Sequence, residues 1–175
     1  NVRKIRFVDA NFSSKKPYAK SLIKAFIQER FRTSLAFELI LGFIDDELAS
    51  LFGQYTQMHP ENKITVGVGV QTINRKVLKR MRRPIRKEKF EKTFQLFQKY
   101  NIYTKIDLII GLPGEDIHTI EETLEYMVNQ LRDSRAHFLC CHVMRGLPGT
   151  ELLKIAEEEQ MVFSSERDPH EFIES

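Results

Sequence analysis

Two segments hold the residues best suited to chemistry. Gly-Val-Gln-Thr at 69–72 and Ile-Asp-Leu-Ile-Ile-Gly-Leu-Pro-Gly-Glu at 106–115 each read as an apolar strand that ends in polar or turn residues and leads into a helical stretch. Parallel β/α units gather such strand ends at one rim, where ligands bind. The rim set is Asp9 and Asn11, Glu38, Gln71 and Thr72, Asp107, and His142 with Arg145. Arg83 lies beyond a short helix from Gln71 and is placed to fold back over the same mouth. Carboxylates and amides suit ribose hydroxyls, and an Arg with a Glu suits the carboxylate and amine of an amino acid. The sequence has no Ser/His/Asp set and no Walker-type loop. Gly67-x-Gly69 lies within a strand, so it is not a dinucleotide fingerprint.

Each of these residues also has a purely structural reading. Asp107 in an apolar strand is costly unless paired or near solvent, and a salt bridge to Arg83 or Lys105 would explain it. Gln71 reads equally as a core amide that satisfies backbone, Glu38 follows the same logic, and Arg83 fits a solvated basic helix face. Cys140 and His142 share one strand face, with Cys141 on the other. A zinc site needs about four ligands and no second cluster is visible, so no metal site is expected in this chain.

The elements that must position these residues alternate regularly. Strand-like segments fall at about 4–9, 35–41, 64–71, 104–111 and 136–144. Helical patterns occupy about 15–31, 45–56, 74–100 with an interruption at Pro84, 116–132 and 150–160. The strands are nearly continuous in apolar residues, as expected when both faces are buried. Such repetition predicts a parallel α/β sheet with right-handed crossovers. Ser13 or Ser14 is the expected cap of the first helix, and Asp45-Asp46-Glu47 places negative charge at the start of the second. Phe90, Phe94, Phe97 and Tyr100 form an apolar stripe read as core rather than as a base-stacking platform.

Composition sets the outer bounds. At 175 residues, 42% apolar and 29% charged, the chain fits one soluble domain. No apolar run reaches the ~18–20 residues of a membrane span. The chain enters directly into a strand at Ile5, an abrupt start expected of a fragment of a longer protein. The domain is expected over residues 1–160, with a polar tail at 161–175. Cys140 and Cys141 are the only cysteines, so no disulfide framework is expected and a reducing cytoplasm fits. The net charge of +3 is uneven: residues 75–92 hold ten Lys/Arg and two Glu, an excess of +8 that leaves −5 elsewhere. This run reads as a solvated surface, or as a dock for an acidic partner, a reductant or RNA.

Six motifs, in order across about residues 5–155, resemble the later part of the radical S-adenosylmethionine barrel. They are Phe7-Val-Asp-x-x-Phe12, Phe37-Glu-Leu, Val68-Gly-Val-Gln-Thr-x-Asn74, Val77-Leu-x-x-Met-x-Arg83, Ile106-Asp-Leu-Ile-x-Gly-Leu-Pro-Gly-Glu115 and Leu147-Pro-Gly-Thr150. The chain is most similar to the branch of oxygen-independent coproporphyrinogen oxidase-like enzymes, methylthiotransferases and cobalamin-binding Mg-protoporphyrin ester cyclase-type enzymes. The Leu-Pro-Gly-Thr ending and the downstream Asp168-Pro-His-Glu-Phe lean towards the cobalamin-associated group.

The resemblance implies a partial parallel (β/α) barrel of TIM-like type with about five units. It implies S-adenosylmethionine as cofactor, a 4Fe–4S cluster elsewhere in the parent protein with cobalamin as a further candidate there, and an electron donor such as flavodoxin or ferredoxin. Carried over position by position, Glu38 and Arg83 match residues that hold the methionine moiety, and Gln71 and Asp107 match residues near the ribose. Thr72 stands where many relatives have Ser, and Val143 or Met144 falls near the adenine. The family's Cys-x-x-x-Cys-x-x-Cys cluster loop does not occur in this sequence. The isolated chain is therefore expected to be catalytically silent, within a parent that is an oxidoreductase or transferase of unknown substrate. Two rival readings remain at this stage: an RNA-binding or RNA-modification module using residues 75–92, and an ordinary β/α-barrel lyase or isomerase.

Overall fold

The computed structural model describes residues 2–59, 61–83, 86–132 and 137–161, with only the backbone of His137. Five parallel strands form one sheet in sequential order: β1 (Lys4–Arg6), β2 (Ser34–Leu39), β3 (Ile64–Gln71), β4 (Tyr103–Ile110) and β5 (His137–Val143). Between them run α1 (Lys16–Gln28), α2 (Asp46–Met58), the pair α3 (Arg75–Arg80) and α4 (Lys87–Lys99), and α5 (Ile117–Leu131), with α6 (Glu151–Glu158) after β5. Each strand pairs in parallel with the next, which makes consecutive β/α units as in part of a TIM-like barrel. Among the described residues the sheet is open. The cobalamin-leaning Asp168 segment, the tail and Pro84 lie outside them.

The helices pack on one face of the sheet. Leu35, Phe37 and Leu39 of β2, Ile64, Val66, Val68 and Val70 of β3, and Ile106 and Leu108 of β4 are buried with the apolar stripes of the helices. Phe37 stacks on Phe52 at 5.3 Å and meets Phe12 at 4.1 Å. Phe90, Phe94 and Phe97 are core, as their spacing predicts, and Tyr100 packs against the same cluster. The expected burial of both sheet faces is not found among the described residues. The opposite face instead carries small and charged residues, Ala36, Glu38, Thr65, Gly67, Gly69, Lys105 and Asp107, by strand alternation. Glycine and alanine on that face made these strands read as continuously apolar.

Helix starts follow local chemistry. Asp45 caps α2 by accepting from the Leu48 N–H, and Asp116 with Thr119 makes a reciprocal capping box at α5. Asn74 caps α3, accepting from the N–H groups of Lys76 and Val77. The cap expected at Ser13 or Ser14 is not formed. Residues Phe12–Lys15 are a 3-10 turn, α1 starts after it with Pro17 in its first turn, and the Ser13 hydroxyl instead bonds Asn11 Oδ1 at 2.9 Å.

Candidate active site on the uncovered sheet face

The uncovered face brings Glu38, Gln71, Arg83 and Asp107 together around two glycines. Gly67 sits beside Glu38 in the β2–β3 register, and Gly69 sits beside Asp107 in the β3–β4 register. A Cβ added to Gly67 would collide with the Glu38 carboxylate, and one added to Gly69 would collide with the Gln71 side-chain amide. The Arg83 guanidinium comes within 3.8 Å of that same Gly69 position. The two glycines are thus a floor over which the Glu38 carboxylate and the Gln71 amide lie, with Arg83 alongside.

The backbone explains how β3 presents Gln71. The pairing of β3 with β4 shifts register between Gly69 and Gln71, and Gln71 has a φ of 67°, in the left-handed region unusual for a non-glycine. The bulge turns the side chain back over Gly69. There Gln71 Oε1 is buried with no hydrogen-bond partner among the described residues, an arrangement that costs roughly 1–3 kcal/mol. Arg83 is fixed from the other side, its N–H donating to the Leu78 carbonyl at 2.8 Å as α3 ends.

The two carboxylates on this face are paired. Arg6 reaches Glu38 at 3.0 Å. Asp107 Oδ1 receives the Lys105 ammonium at 2.9 Å and His142 Nε2 at 3.1 Å. Lys105 was one of the two ion-pair partners that the sequence allowed for Asp107, whereas Arg83 lies over Gly69. Hydrogen bonding to Asp107 raises the Lys105 pKa despite the opposing effect of burial, so the lysine stays charged. Two acceptor positions of the Asp107 carboxylate are used out of about four.

Thr72 and Val143 are not brought to this face. Thr72 is fully buried, and its hydroxyl lies 3.1 Å from that of Thr123 and accepts from the Asn74 N–H. It joins β3 to α5 and braces the turn into α3. Val143 is 78% exposed and alternates with His142 to the opposite side of β5, while Met144 is buried with Val77, Leu112 and Ala156. Asn11 is occupied in its own turn, accepting from Ser13 and the Ile40 N–H. Asp9 and Arg145 are exposed.

Three partners were not anticipated from the sequence: Arg6 as the counterion of Glu38, and the two floor glycines. Glycine within a strand signals close approach of another group. That signal was present at Gly67 and Gly69 and was read only as the absence of a phosphate loop. No cluster of three or more His, Cys, Asp or Glu suited to a metal occurs among the described residues. Burial, and then the neighbouring Cys140, push the Cys141 thiol up, away from the thiolate that a metal would need.

Sequential β/α units with polar side chains converging over a glycine floor at the strand ends define a barrel-type cofactor-binding protein. The chain belongs to the Radical SAM superfamily, whose model matches residues 1–127. Its enzymes use S-adenosylmethionine together with a 4Fe–4S cluster. Similar solved structures include the radical S-adenosylmethionine methyltransferase TsrM of Kitasatospora setae, with cobalamin and a 4Fe–4S cluster bound. It has a TM-score of 0.72 and 20% identity, over 89% of this chain and 30% of that one. The archaeal Elp3 of Methanocaldococcus infernus follows at 0.66 and 17%, over 89% and 40%. The radical SAM coproporphyrinogen III oxidase HemN of Escherichia coli is similar at 0.59 and 19%, over 78% and 31%. The chain therefore spans well under half the length of these structures, and at these identities the likeness speaks for the fold. No curated protein matches the sequence.

Proposed function

We propose that the Gly67–Gly69 floor holds S-adenosylmethionine, and that this chain is the cofactor-binding side of a longer radical enzyme. The observation that carries this reading is the floor kept clear of side chains, over which the Glu38 carboxylate and the Gln71 amide nitrogen lie. A ribose hydroxyl oxygen is a suitable acceptor for that amide nitrogen. Asp107, with spare acceptor capacity, suits the second hydroxyl. The Glu38 carboxylate suits the amine of the methionine part, and Arg83 suits its carboxylate through a two-pronged contact. Bound there beside a cluster, S-adenosylmethionine would supply an organic radical for hydrogen abstraction from a substrate.

The residues present do not fit the cluster. Cys140 and Cys141 are adjacent on β5, on opposite faces, and no Cys-x-x-x-Cys-x-x-Cys occurs in the sequence. Cluster ligands would come from a part of the protein outside this chain, which alone is then catalytically silent. The coverage of TsrM, Elp3 and HemN is compatible with such a partial barrel. Cobalamin in the parent, a flavodoxin- or ferredoxin-type electron donor and a cytoplasmic setting complete the proposal. No helix among the described residues is long and apolar enough to cross a membrane.

Calorimetric titration of the chain with S-adenosylmethionine tests the site directly. Saturable binding that is lost in Glu38→Ala and in Arg83→Ala is expected. Binding unaffected by both substitutions would remove the site from this face.

A further inference from the structure

The basic run is sorted into two halves by the fold. Towards α6, Arg80 pairs with Glu159 and Arg82 with Glu151. On the other side, α3 and the start of α4 enclose a groove of about 640 Å3 lined by Arg75, Lys76, Lys79, Arg86 and Lys87, with Glu88 its one carboxylate. No described carboxylate bridges Arg75, Lys76, Lys79 or Arg86, and the Lys87 ammonium lies over the Tyr126 ring at 4.8 Å. Positions 75, 76 and 79 share one side of α3 at helical spacing. Cations thus face cations across a cleft, a repulsive arrangement that an anion in the cleft relieves.

We propose that this groove binds the phosphodiester backbone of a nucleic-acid strand. Arg75 and Arg86 offer planar forks that match phosphate oxygens, and the lysines add point charges. The shape selects a strand over an acidic protein. A stable protein interface covers about 800 Å2 on each partner, which extends beyond the groove onto a chain whose remaining net charge is −5. A strand engages the groove alone. No aromatic side chain lines the groove, so recognition runs through phosphates and tolerates sequence.

The test is fluorescence anisotropy of the chain with labelled 12-nucleotide single-stranded RNA and DNA across a salt series, with tripolyphosphate and polyglutamate as competitors. Four engaged cations predict a slope of log affinity on log salt of about −3 for a single strand. The variant Arg75→Gln, Lys76→Gln, Lys79→Gln, Arg86→Gln is expected to lose at least tenfold affinity at low salt, with a slope near zero. These side chains have no partners among the described residues, and an unchanged melting transition verifies the fold. A charge-matched variant, Arg3→Gln, Lys15→Gln, Arg32→Gln, Lys154→Gln, is expected to retain most of the affinity and the slope. Binding of either oligonucleotide with this pattern supports the proposal, and the two arms decide between RNA and DNA. It is overturned by absent binding, by equal loss in both variants, or by polyglutamate or tripolyphosphate competing as well as the oligonucleotide.

Discussion

At the scale of single residues, Gln71 separates the functional reading from the structural one. A core amide that satisfied backbone would be stabilising, and its removal would cost stability. Instead its Oε1 is buried without a partner and its backbone is left-handed. Gln71→Leu, close in volume, removes the unsatisfied oxygen, so we expect stability to rise by about 1 kcal/mol, or roughly 2–4 °C in melting temperature. Affinity for S-adenosylmethionine should fall about tenfold in the same variant. A melting temperature that drops would return Gln71 to the core. Gly67→Ala probes the floor from below: its methyl group displaces the Glu38 carboxylate, and we expect cofactor affinity to fall tenfold or more while circular dichroism shows an unchanged helix content. The sequence placed Glu38, Gln71 and Asp107 near strand ends and Arg83 beyond a short helix, and the structure brings the four to one face. Apart from Lys105 beside Asp107, the groups that pair with them were not legible. Arg6 meets Glu38, and His142 meets Asp107, through strand register, which depends on a fold that composition does not specify.

At the scale of elements, strand–helix alternation was readable because the longer helices, such as α1, α2 and α4, carry apolar stripes that pack on the sheet. The ends were less so. Ser13 lost its capping role to a 3-10 turn, because Pro17 fixes where α1 can begin. Thr72 reads as a rim residue by its place at the end of β3, but its side chain is buried against Thr123 of α5, past the register shift between Gly69 and Gln71. Asp45 shows a cap with a measurable charge effect. Burial alone would raise its pKa, yet the Leu48 N–H, the Lys20 ammonium and then Lys16 outweigh it, and the net shift is downward. A folded pKa below the unfolded value stabilises above the unfolded value of about 3.9 and loses that contribution as pH falls through the folded value. Asp45→Asn keeps a capping oxygen but removes the charge. We expect it to be less stable than the parent by about 0.5 kcal/mol at pH 7, a figure discounted for solvent screening. The two should converge as pH falls below about 4, as followed by urea denaturation. A difference that persists undiminished at pH 2 would assign the effect to cap geometry rather than charge.

At the scale of the whole molecule, the proposed chemistry requires two sets of groups, and the described residues offer one of them. The face over Gly67 and Gly69 offers carboxylate, amide and guanidinium groups for an organic cofactor, while neither cysteine suits an iron–sulfur cluster. Cys140 and Cys141 point to opposite sides of β5 by strand alternation, so they cannot bind one iron together. Although Cys141 is exposed, partial desolvation and then Cys140 raise its thiol pKa. Two consequences follow for anaerobic reconstitution with iron and sulfide. The chain alone should bind no stoichiometric iron and show no charge-transfer absorbance near the visible region, while still titrating with S-adenosylmethionine. In a longer protein that contains this chain, Cys140→Ser with Cys141→Ser should leave cluster content and 5′-deoxyadenosine formation within about twofold of the parent, because the ligands lie elsewhere. Loss of the cluster in that double variant would mean that β5 supplies a ligand after all. Cofactor binding by the isolated chain would survive that outcome, since the floor and its four side chains lie on β2, β3, the α3–α4 segment and β4, and need neither cysteine.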